Sequence, residues 1–284
     1  MTRQSATARR AEELLGASVV ATAPVAGGDI CTATRLKLSD GHSVLMKTLS
    51  PAPTDFFVAE ARGLRWLAEA ARDAVPEVLA VDQDCLVLPW VEPGKPTADA
   101  AADFGRSLAG VHAAGAEEFG ALPDGFIGRL PLPNGTAPTW GEFFATRRVL
   151  PYLKLAQDRG AVTAQQASAV EGVVGRLDDL VPREPPARLH GDLWNGNVLW
   201  GHDGVVRMVD PAAHAGHRET DLAMLSLFGL PHLQRALDAY QETTPLVAGW
   251  EDRVALHQLF PLLVHAAMFG GGYGARAAAL ASRY

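Results

Sequence analysis

His190-Gly191-Asp192-Leu193-Trp194-Asn195-Gly196-Asn197, followed after a short hairpin by Asp210, is the densest polar constellation in the chain. Its spacing points to phosphoryl transfer. That reaction needs a carboxylate to orient and deprotonate an attacking hydroxyl, oxygen ligands for Mg2+, and a cation on the remaining phosphates. Asp192 is the candidate base. Asn197, five residues further on, and Asp210, at the end of the next predicted strand, are the candidate Mg2+ ligands. The competing reading is a plain hydrogen-bonded turn, because Asp and Asn side chains often bond nearby backbone. The rest of the chain weighs against it by supplying the distant partners.

Lys47 follows Val44, Leu45 and Met46 in a predicted strand, where a charged residue among core formers calls for a reason. A strand lysine that reaches phosphates and pairs with a helix glutamate provides one, and Glu60 is the candidate partner. Taken singly, Lys47 reads as a solvated strand end and Glu60 as a helix-face charge. In the order glycine turn, Lys, Glu, hinge, Asp-x4-Asn, Asp, they read as one apparatus. The turn itself, Ala26-Gly27-Gly28-Asp29-Ile30, is a weak signal: neither G-x-x-x-x-G-K-[ST] nor G-x-G-x-x-G is present, which disfavours a P-loop NTPase. Its glycines permit close backbone approach to a phosphate, and an ordinary hairpin is the alternative.

Working outward, helical periodicity covers Ala6 to Leu15 and a strand covers Ser18 to Ala23. Strands at Thr32 to Leu38 and Ser43 to Leu49 flank an Asp40-Gly41 hairpin signal. Thr54-Asp55 can cap a helix carrying Glu60, Leu64 and Leu67 on one face, and strands follow at Val75 to Val81 and Cys85 to Val91. Beyond Pro93-Gly94-Lys95-Pro96 the composition turns to Ala-rich helical segments. The expectation is an α+β, two-lobed fold. Residues 1–93 carry a five-stranded antiparallel sheet with one helix and the phosphate-binding lysine; residues 94–284 form a mainly helical lobe with the catalytic loop and substrate site. In the second lobe, Leu130 to Pro138 reads as a loop, Trp140 to Leu155 and Ala164 to Leu180 as helices, Leu189 to Trp200 as a loop entering a strand, and Val205 to Asp210 as the strand returning.

Composition narrows the field. The chain has 284 residues, 48% of them hydrophobic and 20% charged, which suits a globular protein with a buried core. A net charge of −7, with no Lys/Arg run longer than a pair, disfavours nucleic-acid binding. Two cysteines, Cys31 and Cys85, are too few for a secreted disulfide scaffold. The stretch after Arg9-Arg10 is interrupted by Glu12-Glu13, Gly16 and Ser18, so a signal peptide is disfavoured and the cytoplasm is the expected location. Val254 to Ala275 is uncharged, but its histidines, Pro261 and three consecutive glycines fit a buried helix followed by a loop better than a bilayer span, so no membrane partner is expected.

These motifs resemble the fructosamine kinase family, within the larger aminoglycoside-phosphotransferase-like, protein-kinase-like group. Asp192-x4-Asn197 and Asp210 mark the large group, whereas His190-Gly191-Asp192-Leu193-Trp194-x-Gly196-Asn197 is narrower because of Trp194. Phe126-Ile127-Gly128 with Asn134, Trp140-x2-Phe143, Asp210-Pro211-Ala212 and Gly216-His217-Arg218-Glu219-x-Asp221-Leu222-Ala223-Met224 extend the similarity from about Leu14 to Tyr273. The resemblance implies MgATP-dependent phosphorylation of ketoamines at the sugar 3-hydroxyl, giving an unstable adduct that releases the amine, a deglycation repair. The acceptor would be a small ketoamine or a glycated protein lysine. It implies Asp192 as base, Asn197 and Asp210 on Mg2+, and Lys47 on the phosphates with Glu60 orienting it. Gly27, Gly28, Asp29 and Ile30 would form the phosphate-covering turn, and Pro89, Trp90, Val91 and Glu92 the adenine-binding hinge. Trp194, His217 and Glu219 are candidates for substrate contact, and Asp221 for anchoring the catalytic loop.

Two departures stand out. Some members carry Gly-Gly-Cys in the glycine turn and respond to thiol oxidation; this chain has Asp29 there and Cys31 two residues on. Pro211 after Asp210 argues for a constitutively formed site. Rival readings are a kinase of another amine-bearing alcohol, of aminoglycoside or choline type, and a nucleotide-binding pseudokinase scaffold. A zinc site drawn from His214, His217, Glu219 and Asp221 lacks a cysteine and competes for residues the kinase reading uses.

Overall fold

A hairpin at Asp40-Gly41 sets the register of the sheet on which the lysine is carried. In the computed structural model, which describes residues 5–26 and 30–284, Gly41 adopts φ 92 and Lys37 pairs with Ser43. Helix α1 (Ala6–Leu15) starts where Ser5 Oγ accepts the Ala8 amide at 3.1 Å and stops at Gly16, whose φ of 66 suits a glycine cap. Strands β1 (Val19–Val25), β2 (Thr32–Leu38) and β3 (Ser43–Thr48) follow, then helix α2 (Phe56–Ala68) and strands β4 (Ala80–Asp82) and β5 (Cys85–Pro89). The sheet is antiparallel with order β1-β2-β3-β5-β4, as expected of five strands with one helix after the third. Strand β4 is shorter than expected, because a 3-10 turn at Arg72–Ala74 precedes it and Pro76 offers no ladder donor.

Thr97 caps α3 (Ala98–Ala113), and the segment beyond it holds a small hairpin, β6 (Gly125–Ile127) and β7 (Leu130–Leu132). Leu130 to Leu132 are therefore strand, where the Pro-rich sequence reads as loop: Pro131 sits on a two-stranded ribbon with a free edge, which tolerates its missing amide. Helix α4 (Trp140–Phe143) runs through a π-turn at Phe144–Val149 into α5 (Leu150–Asp158), followed by α6 (Ala164–Val174) and α7 (Leu177–Leu180). Strand β8 (Ala187–Leu189) leads to the His190 loop. Hairpin β9 (Val198–Trp200) and β10 (Val206–Met208) carries the chain to Asp210, and β11 (His214–Gly216) returns to pair with β8. The β8/β11 ladder has no sequence signal, since it is three residues long and pairs segments far apart in the chain.

Five helices complete the fold: α8 (Glu219–Phe228), α9 (Leu233–Thr243), α10 (Trp250–His257), α11 (Leu259–Phe269) and α12 (Tyr273–Ala281). Among the described residues no helix is long and apolar enough to cross a membrane. One buried cluster joins Phe57, Leu64 and Leu88 of the first part to Phe104, Leu222 and Tyr240 of the second. The strand carrying Lys47 and the Asp192 loop are thus mounted on shared core rather than on separately packed pieces. A second cluster fills the helical part around Phe143, Tyr152 and Phe260.

Candidate active site

Asp221, in the first turn of α8, fixes the loop that carries Asp192. Its two oxygens accept the backbone amides of His190 at 2.8 Å and Gly191 at 2.9 Å, and His112 Nε2 lies 3.2 Å away. The anchoring role implied for Asp221 is the one its geometry displays. Gly191 has φ +80, and a Cβ there would stand 2.2 Å from the Ala212 carbonyl, so only glycine lets the loop pass under the segment after Asp210. His190 is fully buried and its Nε2 lies 2.8 Å from the Val209 carbonyl, tying the loop to the residue before Asp210.

Asn197 Nδ2 donates to the Asp192 carbonyl at 2.8 Å and to Asp192 Oδ2 at 3.1 Å. With its nitrogen so used, Oδ1 is the atom Asn197 has to offer a hard cation. Burial pushes the Asp192 carboxyl up to about 7; Asn197 opposes the rise, and Asp210 and Asp221 add to it. A carboxylate poised near neutrality is what a general base for a hydroxyl requires.

Lys47 reaches the same point from β3. Its Nζ lies 2.6 and 2.7 Å from the two Glu60 oxygens and 2.8 Å from Asp210 Oδ1. Burial disfavours the ammonium, but Glu60 and then Asp210 outweigh it and hold Lys47 protonated, above its ordinary value. Asp210 sits at φ 57, a left-handed conformation that costs a non-glycine residue of order 1 kcal/mol and is tolerated where it aims a functional group. Its side chain is 45% exposed, so a carboxylate oxygen faces the cleft.

These groups line a cleft of about 530 Å3. Among its lining residues, Val25, Ala33, Leu45, Leu88 and Leu199 are apolar groups that suit a flat ring, and Phe126, Trp194, His265 and Phe269 add an aromatic set. Trp194 is 39% exposed, its ring edge-on to Phe228 at 5.8 Å between centroids. Ile30 lines the cleft, while Gly27, Gly28 and Asp29 lie outside the described residues. Pro89, Trp90, Val91 and Glu92 directly follow Leu88, but their side chains line a separate groove of about 480 Å3 with Arg72, His202 and Arg207. Trp90 is held there by Glu92, through a 2.9 Å bond from Nε1, and by the Arg35 guanidinium 4.5 Å above its ring.

His217 and Glu219 do not reach the cleft, which corrects the expectation of substrate contact. Both are 1% exposed. Glu219 is gripped by Arg253 at 2.6 Å and faces His257 at 3.2 Å, and His217 packs edge-on to Trp140. His217, Glu219 and His257 place ligand atoms within 4.8 Å of one another, whereas His214 and Asp221 stand elsewhere, His214 bonded to Ala212 and Asp221 to the loop. Arg253 already neutralises Glu219, and Arg218 pairs with the adjacent Glu184 at 2.7 Å. The trio is thus part of a buried ion-pair network, and a divalent cation would add two uncompensated charges to it. Sequence reasoning did not single out His265 and Phe269 as cleft residues; they sit in an apolar helical stretch whose pattern reads as core.

A strand lysine paired to a helix glutamate, facing an Asp-x4-Asn loop and a second aspartate across a cleft, defines a kinase-like phosphotransferase that acts on an alcohol group. The chain belongs to the fructosamine kinase family, whose sequence profile matches residues 2–284. A "Probable ketoamine kinase" of Enterococcus faecium is 35% identical over 259 residues, 89% of this chain and 91% of that protein. A Thermobifida fusca crystal structure provisionally named a fructosamine-3-kinase superposes with a TM-score of 0.93 at 48% identity, covering 98% of this chain and 99% of that one. A macrolide 2'-phosphotransferase from Brachybacterium faecium shares the fold alone, with a TM-score of 0.64 at 18% identity over 98% of each chain.

Proposed function

We propose that the protein transfers the γ-phosphoryl group of MgATP to the 3-hydroxyl of a ketoamine sugar, in the cytoplasm, as a step of deglycation. The observation that carries this is the convergence of Asp192, Asn197, Asp210 and Lys47 on one cleft that an aromatic set also lines. Asp192 takes the hydroxyl proton as the sugar oxygen bonds to the γ-phosphorus, and the bond from that phosphorus to the bridging oxygen breaks, leaving ADP. Lys47 steadies the nucleotide phosphates, with Glu60 holding its ammonium in place. The Asn197 amide and the exposed Asp210 carboxylate are the oxygen donors Mg2+ prefers, and the Lys47 contact leaves Asp210 a second oxygen to offer. The ion, when bound, neutralises charge on the transferred group.

The acceptor side fits a ketoamine in its chemistry. Trp194 offers an aromatic face to an adjacent ammonium, and the cleft is open enough to admit either a free glycated amine or a glycated lysine on a protein. A phosphate on the third carbon makes the adduct labile: enolisation toward the first carbon expels phosphate, and water hydrolyses the resulting imine to free the amine.

The test is phosphate transfer from MgATP to ribulosyl-lysine, fructosyl-lysine, kanamycin and choline, with Asp192→Ala alongside. The expected result is a ketoamine phosphorylated on its third carbon and a variant slower by about 10²–10⁴-fold. Transfer to kanamycin or choline alone would move the reading to another amine-bearing alcohol. Nucleotide binding without transfer to any acceptor would replace it with a scaffold.

A further inference from the structure

One stretch of chain, residues 123–134, supplies a continuous wall of the cleft through Pro123, Gly125, Phe126, Ile127, Gly128 and Leu132. Its tip is set against the end of α11, since a Cβ on Gly128 would meet the Met268 methyl at 2.6 Å. The wall thus runs between the end of α11 and helix α2, where Phe126 meets Phe56 at 5.1 Å between ring centroids and Arg62 donates to the Asp124 carbonyl at 3.0 Å, and Arg129 donates to the Ile30 carbonyl at 3.1 Å. What holds its base together is Asn134, which is 2% exposed. The Asn134 amide donates to Asp124 Oδ1 at 2.7 Å, and Nδ2 donates to the Pro123 carbonyl at 3.2 Å and the Ala213 carbonyl at 3.5 Å. Asn134 thus closes the loop on itself and ties it to the segment three residues beyond Asp210.

The orientation of that side-chain amide is set from behind by Arg148, on the π-turn between α4 and α5. Its guanidinium donates to Asn134 Oδ1 at 2.6 Å, to the Pro133 carbonyl at 2.6 Å and to the Arg147 carbonyl at 3.1 Å, and it lies 4.6 Å over the Phe143 ring. An arginine has only donors, so Asn134 must turn its oxygen toward Arg148 and its nitrogen toward Pro123 and Ala213. Arg148 is 1% exposed and forms no ion pair among the described residues; burial pulls its pKa down to about 9, and its Nε has no partner. A cation buried with no carboxylate in contact is an unfavourable way to fill space. It makes sense where a rigid fork must hold several oxygens at once, and π-turns recur where a helix is locally reshaped for such a purpose.

We propose that Arg148 and Asn134 form a clasp that positions the acceptor wall against the Asp210–Ala213 segment, making Asn134 a positioning residue for the phosphoryl acceptor and not for the nucleotide. This rests on the acceptor lying on the Trp194 side of Asp192, as in the function proposed above. Asn134→Asp isolates it: the carboxylate keeps Arg148 paired, which protects the fold, but turns an acceptor oxygen toward two carbonyls in place of the donor. Arg148→Lys keeps the charge and loses the fork.

For both variants the expected result is an acceptor KM raised about tenfold or more, a nucleotide KM within about threefold of the parent, and faster amide exchange confined to residues 123–132. An unchanged acceptor KM, or acceptor and nucleotide constants that shift together with a lowered Tm, would overturn the clasp and leave Asn134 an ordinary structural residue. If the parent protein phosphorylates no ketoamine, the functional reading fails on its own. Amide exchange then decides the clasp, with faster exchange limited to residues 123–132 supporting it and unchanged exchange overturning it.

Discussion

The ammonium of Lys47 and the carboxylate of Glu60 form a sequestered ion pair, 2.6 Å at its closest, between a central strand and the helix packed behind it. Breaking such a pair from one side costs about 3–5 kcal/mol, because the remaining charge is stranded. Lys47→Met is therefore expected to destabilise the protein as well as weaken nucleotide binding. The loss should grow with pH. Burial already pushes the Glu60 carboxyl up to about 7, and without Lys47 it rises further. A carboxyl whose folded value exceeds its unfolded value supports the fold below the unfolded value and loses that support as pH rises toward the folded one. Urea unfolding at pH 6 and pH 8 checks this; an equal penalty at both would mean that Glu60 has found another cation.

Asp221 is the residue on which the Asp192 loop hangs, with both oxygens engaged by backbone amides. Asp221→Asn sets an NH2 against one of those amides, leaving a buried donor unpaired at a cost of about 1–3 kcal/mol. The loop then loses its fixed place under Ala212. The expected outcome is a kcat lower by about tenfold or more with nucleotide affinity retained, because the apolar lining of Leu45, Leu88 and Leu199 lies outside the bond being broken. Steady-state kinetics beside nucleotide titration separates the two effects.

Asn197 serves two partners in the proposed reaction, Asp192 through its nitrogen and Mg2+ through its oxygen. Asn197→Ala should raise the Mg2+ concentration needed for half-maximal rate by about 10–100-fold, as loss of a ligand or its orienting partner does elsewhere. It also removes the one hydrogen bond that opposes the upward shift of Asp192. The acid limb of the rate profile, measured at saturating Mg2+, is expected to move to higher pH. An unmoved limb would separate Asn197 from the base.

The sheet was legible because local chemistry dictates it: Asp40-Gly41 forces a tight turn, and alternating apolar residues fix which side chains of β2 and β3 enter the core. The site was legible for a related reason. Asp192, Asn197 and Asp210 lie within 19 residues of one another, so their order along the chain already carries their arrangement. The misplaced residues are those whose setting depends on distant partners. His217 and Glu219 stand beside Asp221 in sequence, yet Arg253 and His257, from α10, draw them into the interior. His265 and Phe269 are the converse, core-like in pattern but brought to the cleft by the end of α11. The clasp of Asn134 by Arg148 needs a π-turn, a feature with no compositional signal.

His214 shows what burial does to a group whose nearby acid, Asp221, is too weak to offset it. It is 2% exposed, bonded through Nδ1 to the Ala212 carbonyl, and burial, with the Arg148 charge adding to it, pulls its pKa down to about 3. In the unfolded chain it titrates near 6.5. A base depressed in this way contributes its full stability above the unfolded value, and the contribution falls as pH drops toward the folded one, by about 1.4 kcal/mol per pH unit. Other groups, Asp192 among them, titrate in the opposite sense, so the wild-type curve alone mixes the two. His214→Asn preserves a donor for Ala212 and removes the titration. Measured by urea unfolding, the variant's deficit relative to the wild type should be constant above pH 7 and shrink by about 1 kcal/mol between pH 6 and pH 5. A deficit that stays constant across that range would show that His214 takes up a proton in the folded protein.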